Sequence, residues 1–151
     1  MPNLAFAIFE TAIGDCALIW GEAGIVGAML PERDVRSRIL RRYPAAEEAL
    51  KTFVAQHPKD ALAGSAQYWL GETYYERGRY AEAASAFAEG YKNYPRGTKA
   101  ADDLLKLGMS LARANQKQNA CVAFAQLDHD FPNPGSSIKE HSLAEKKRLG
   151  C

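Results

Sequence analysis

Three prolines set the frame for this chain. Pro58 in "QHPKD", Pro95 in "NYPRG" and Pro132 in "DFPNP" are spaced by 37 residues and again by 37, each after a ring-bearing residue: His57, Tyr94, Phe131. The same offset aligns Ala46, Ala83 and Ala120, then Ala49, Ala86 and Ala123, then Leu50, Phe87 and Phe124. Upstream, Leu70 matches Leu107 and Gly71 matches Gly108. Small, large and punctuating positions recurring in one register define a unit that buries its apolar face only by stacking on its neighbours.

Each unit reads as a pair of antiparallel helices. Ala66, Leu70 and Tyr74 follow at i, i+4, i+8 within Ala63–Arg77, as do Ala83, Phe87 and Tyr91 within Tyr80–Tyr94; each set is one helical stripe. Gly71 and Gly108 lower helix propensity by roughly 1 kcal/mol each against alanine, so close approach of the partner helix at Ala83 or Ala120 is expected. Gly78 suits the left-handed backbone that ends a helix, and Pro95 stops the next one.

The pattern resembles the tetratricopeptide repeat. Leu70, Gly71, Tyr74, Ala83, Phe87 and Pro95 match one unit; Leu107, Gly108, Leu111, Ala120, Phe124 and Pro132 match the next, with Gln67 where Trp is favoured and Leu111 where Tyr is. A half unit, "YPAAEEALKTFVAQHP", precedes them, with Pro44 suited to a first helical turn. A last helix over 136–149 places His141, Ala144 and Arg148 where large apolar groups would otherwise stand, which reads as a polar cap. The expected fold is mainly α: a solenoid of about two and a half repeats over 44–151, with a small β-meander appendage over 1–43.

Residues 43–151, with "LAGSAQYWLGETYYERGRYAEAASAFAEGYKNYPRGTKAADDLLKLG" and the "KRLGC" ending, resemble the C-terminal repeat domain of the Tol-Pal system protein, a cell division coordinator of Gram-negative bacteria. The resemblance implies a periplasmic protein that contacts TolA during envelope constriction, and room for oligomerisation. The family's signal peptide and trimerising coiled coil are not seen here, and no export signal is visible: the first basic residue is Arg33.

The first forty residues break the register, with Arg33 and Asp34 where Leu70 and Gly71 would fall. "LAFAIFET", "CALIWGE" and "GIVGAML" read as short strands, and "ERDVRSRILRR" as a short basic helix. This head resembles the start of O6-alkylguanine-DNA alkyltransferases, but the Pro-Cys-His-Arg motif that accepts the alkyl group is missing, so alkyl transfer is not expected. The chain reads as a fusion of two fragments joined near "RRYPAAEEAL".

The concave side of such an array is lined by first helices. The matching outward positions begin with Ser65 and Tyr68, Glu72, Tyr75 and Glu76 in one unit. Asp102, Leu105, Met109 and Arg113 hold the corresponding face of the next. Apolar and aromatic groups flanked by charges suit an extended or helical peptide, and this is the expected partner groove.

Other sites read more plainly. Asp128, His129 and Asp130 diverge around a helix and read as a solvated helix end rather than a metal site. His57 and His141 have no ligand partner at metal spacing. Arg33, Arg36, Arg38, Arg41 and Arg42 spread around their segment, and the net charge of +1 gives no general pull towards nucleic acid. The three cysteines show no zinc spacing and cannot all pair within the chain. Cys121 takes the place of Ala84, which suits a small buried residue; a bridge to Cys151 needs an oxidising compartment and a last helix that folds back. No Ser/His/Asp set, phosphate loop or carboxylate pair stands out, so no cofactor and no enzyme is expected. The expected function is a non-catalytic interaction module of the Tol-Pal system. The alternatives are an alkyltransferase-derived relic with weak nucleic-acid contact, or a generic repeat adaptor.

Overall fold

The computed structural model describes the backbone of residues 5–11, 14–21, 24–29 and 45–151, and side chains from Glu47 onward. The strands β1 (Ala5–Thr11), β2 (Gly14–Gly21) and β3 (Gly24–Met29) pair antiparallel in the order β1-β2-β3. Phe9 lies opposite Cys16, and a register shift falls between Ile19 and Trp20. The segment 32–42, read above as a basic helix, lies outside the described residues, as does Pro44.

From residue 45 on the chain is helical: α1 (Ala45–Gln56), α2 (Ala63–Glu76), α3 (Tyr80–Asn93), α4 (Ala100–Arg113), α5 (Lys117–Asp130) and α6 (Ser136–Leu149). Consecutive helices pack against one another, giving an all-α repeat array. The boundaries follow the punctuation in the sequence. Gly78 has φ +72° after α2, and Asn115, at the same place one unit on, has φ +61° after α4. Both close a helix in the left-handed region that glycine and asparagine tolerate best. Beyond Asn93 and Asp130 the chain leaves the helical conformation at Tyr94 and Phe131, each just before a proline.

Phe87 and Phe124 are fully buried at equivalent positions in two linked cores, the first with Leu70, Tyr74 and Ala83, the second with Leu104, Ala120 and Leu127; Leu107 packs against both. The glycines expected to admit Ala83 and Ala120 in fact admit these rings. A Cβ on Gly71 would lie 2.5 Å from Phe87 Cε1, and one on Gly108 2.5 Å from Phe124 Cε1. Gln67, standing where Trp is favoured, is buried, and its amide donates to the Ala86 carbonyl at 2.9 Å across α2 and α3. Losing a bulky ring there is thus offset by a satisfied interhelical hydrogen bond. At the start of the array Glu47 of α1 pairs with Arg77 at 2.8 Å and Arg79 at 3.0 Å, and the Arg79 guanidinium lies over the Tyr74 ring.

Candidate protein-binding groove

The groove positions lie on α2 and α4, the first helices of the two full units. The ion pair between Glu72 Oε1 and Lys106 Nζ at 2.8 Å joins the two helices, and the Lys106 ammonium also sits 4.8 Å from the centre of the Tyr75 ring. Lys99 makes a parallel contact nearer the start of α4, 4.8 Å from the Tyr68 ring and 5.8 Å from Trp69. A cation over an aromatic face gains electrostatically from the ring quadrupole, more so when partly desolvated. Two lysines from one unit thus stack on the aromatics of the unit before it.

Two residues read as groove-facing are core residues instead. Tyr68 and Leu105 are each only 6% exposed. Tyr68 packs on Phe87 and Trp69, and Leu105 joins the cluster around Phe124. Their shared position turns into the seam between helices, so a large apolar side chain there is covered by its own repeat. Glu72, Tyr75, Glu76, Asp102 and Met109 are half-buried, and Arg113 is exposed. Burial pushes the Glu72 carboxyl above its ordinary value against the opposing pull of Lys106, and burial also raises the Tyr75 phenol. Asp102 lies 3.9 Å from Lys99. The face combines half-buried Tyr75 and Met109 with paired and single charges, which suits amphipathic peptide surfaces more than a small polar molecule.

Behind this face is a polar group that the sequence did not single out. Asp103 is 1% exposed, its carboxyl lies against Gly90 of α3, and its Oδ1 has no hydrogen-bond partner. Burial, with Asp102 adding to it, raises its pKa to about 8, so the group is chiefly protonated at neutral pH.

The tract Asp128–Asp130 is exposed at Asp128 and His129 and half-buried at Asp130, and its carboxylates are bonded. The Tyr91 hydroxyl donates to Asp130 Oδ2, the Gln126 amide donates to it at 2.6 Å, and Lys146 donates to Asp128 at 2.5 Å. The bonds from Tyr91 and then Gln126 hold the Asp130 carboxyl down at about 2, and the Tyr91 and Lys146 bonds tie α3 and α6 to α5. Among the described residues no group of three or more His, Cys, Asp or Glu is placed to hold a metal. Cys121 is half-buried rather than a buried alanine substitute, and it is bonded to Cys151. The contacts of Lys99 and Lys106 and this bridge are what sequence reasoning missed or left open. The lysines show no periodic signal, whereas the bridge depends on where α6 runs.

Two family models described as tetratricopeptide repeat match the chain, one over residues 40–98 and the other over residues 104–134. No curated protein matches it. The helical body is therefore a tetratricopeptide-repeat domain. Arrays of this kind generally serve as non-catalytic scaffolds for protein–protein interaction. Among the described residues no helix is long and apolar enough to cross a membrane.

Proposed function

We propose that the chain is an interaction module that holds an extended or helical segment of a partner protein along the face of α2 and α4. The observation that carries this reading is the half-buried Tyr75 and Met109 beside the Glu72–Lys106 pair, with Arg113 exposed at the end of α4. Such a face offers apolar contact with charges around it, the composition that lets a few anchors carry affinity while a polar rim sets register.

The partner we propose is a TolA-like envelope protein, in the periplasm and within the Tol-Pal system. Its support is the resemblance of residues 43–151 and the Cys121–Cys151 bridge, since disulfides persist in oxidising compartments. Residues 44–151 form the binding domain in this reading, and residues 1–43 are a β-meander appendage without alkyltransferase chemistry.

Calorimetric titration of the soluble domains of TolA into the whole chain tests the proposal. Binding is expected, weakened roughly tenfold or more by Met109→Glu with Arg113→Glu, the loss of about 1.4 kcal/mol that one modest anchor supplies. A folded chain that gives no heat with TolA sinks the Tol-Pal assignment. Binding that ignores both substitutions sinks the groove.

A further inference from the structure

Carrying the repeat offset one step further exposes a gap in the array. Tyr68 of α2 and Leu105 of α4 fill equivalent places, and both are buried in core clusters. The third member of that series is Ser142 of α6, and the member after Glu72 and Met109 is Lys146. Where the earlier units present a tyrosine and a leucine, the last one presents only a hydroxymethyl group. A cavity of about 310 Å3 opens there, between the end of α5 and α6.

The apolar part of its wall is Leu127 and Phe131 from the end of α5, Pro132 from the turn, and Leu143 from α6; Asp128 lines it too, paired with Lys146. Leu143 is 53% exposed, so part of this apolar wall faces solvent. Ser142 is 2% exposed, lines the cavity, and its hydroxyl has no hydrogen-bond partner. A buried hydroxyl left unsatisfied is costly, so a ligand that supplies a partner gains more than the area it covers. Lys139 and Lys146 stand at the rim, and Lys146 reaches Asp128 at 2.5 Å. The bridge from Cys121 of α5 to Cys151 just beyond α6 cross-links the two helices that form the walls. The bond limits how far the two helices can separate, which lowers the ordering cost of binding between them.

We propose that this cavity is an anchor site for a tyrosine side chain flanked by acidic residues, carried on the partner's peptide. The ring enters the space left beside the short Ser142 side chain, its hydroxyl turned towards Ser142, and a neighbouring carboxylate meets Lys139 at the rim. The volume lies at the low end of ligand pockets and suits one large side chain rather than a whole small molecule. The inference rests on the interaction reading above, and it places one end of the bound segment at α6.

The test uses the oxidised full-length chain, isotope-labelled, titrated with acetyl-Glu-Tyr-Glu-amide and followed by amide chemical shifts. Saturable shifts are expected at Phe131, Ser142 and Leu143. Ser142→Leu, which puts the preceding unit's residue into the gap, should weaken binding roughly tenfold. Lys139→Glu changes only the exposed rim, and should weaken it severalfold even if the leucine variant folds poorly. Acetyl-Lys-Tyr-Lys-amide should bind more weakly than the acidic peptide. Shifts centred on Tyr75 and Arg113 instead, or affinity indifferent to both variants, overturn the anchor. A chain that binds TolA through Met109 and Arg113 but ignores the tripeptide overturns the anchor alone and leaves the groove standing. Tripeptide binding in the cavity without TolA binding upholds the anchor and removes the named partner.

Discussion

The Phe87 ring occupies the space that a methyl group on Gly71 would need, and Phe124 stands in the same relation to Gly108 one unit later. The conformational cost of a helical glycine is thus offset at the seam of each helix pair, where the backbone of the first helix serves as the floor for the ring of the second.

Gly71→Ala should therefore destabilise the chain although alanine is the better helix former. The propensity gain is about 1 kcal/mol, and forcing a methyl group against a fully buried ring costs about 1–3 kcal/mol. A net loss of up to about 2 kcal/mol in urea unfolding is expected, and the same for Gly108→Ala. Phe87→Leu combined with Gly71→Ala should cost less than the sum of the two single changes, because the residues share one contact. A Gly71→Ala chain more stable than the parent would refute the packing account.

Much of this was legible in the sequence, for reasons that particular residues make plain. Pro58, Pro95 and Pro132 forbid helix continuation wherever they fall, so their spacing announces the unit length before any packing is known. Gly78 announces a left-handed turn, but Asn115 takes the same conformation without the same signal, and only the offset of 37 relates the two. Tyr68 and Leu105 could not be assigned to core or groove from spacing alone. Their exposure depends on how far each unit rotates against the next, a tertiary quantity. The Lys99 and Lys106 contacts escape for a related reason: a flexible lysine reaches an aromatic ring on another helix, and no periodicity marks it. Ser142 was within reach of the register argument, since it continues the series from Tyr68 and Leu105. What the register does not reveal is that α5 leaves the resulting space open.

Asp103 predicts a dependence on pH with a definite sign. Its pKa rises from an ordinary 3.8 to about 8 in the folded chain, through burial first and Asp102 second. The folded state therefore holds a proton that the unfolded state has released over the interval between those values. This group's contribution to stability is fully present below about pH 4 and is lost progressively as pH rises towards 8. The acid end is shaped oppositely by Asp130 and Glu47, whose carboxyls are held low in the folded chain. Comparison with Asp103→Asn isolates the aspartate. The asparagine chain should match the parent near pH 4 and exceed it by a few kcal/mol at pH 8, an order-of-magnitude expectation from the linkage relation. Urea midpoints at the two pH values decide it. Parallel curves for the two chains would mean that Asp103 does not bury a proton.

The last prediction concerns the bridge between Cys121 and Cys151, residues 30 apart in sequence whose Cα atoms lie 5.6 Å apart. The bond spans all of α6, whose own hold on the array is modest: Ser142 is its buried residue, while Ile138 and Leu149 pack on the second core only in part. A cross-link closing a loop of this length raises stability by about 2–4 kcal/mol, mainly by restricting the unfolded chain. A reduced chain, or one carrying Cys121→Ser with Cys151→Ser, should lose about that much. The loss should appear first at α6, as faster amide exchange over 136–149 than over α3, whose Phe87 has no exposure at all. Affinity for the acidic tyrosine peptide should fall with it, because the cavity walls are the two helices that the bond connects. Peptide mapping of the oxidised protein should recover Cys121 joined to Cys151. Equal exchange protection of α6 before and after reduction would show that packing alone secures the helix.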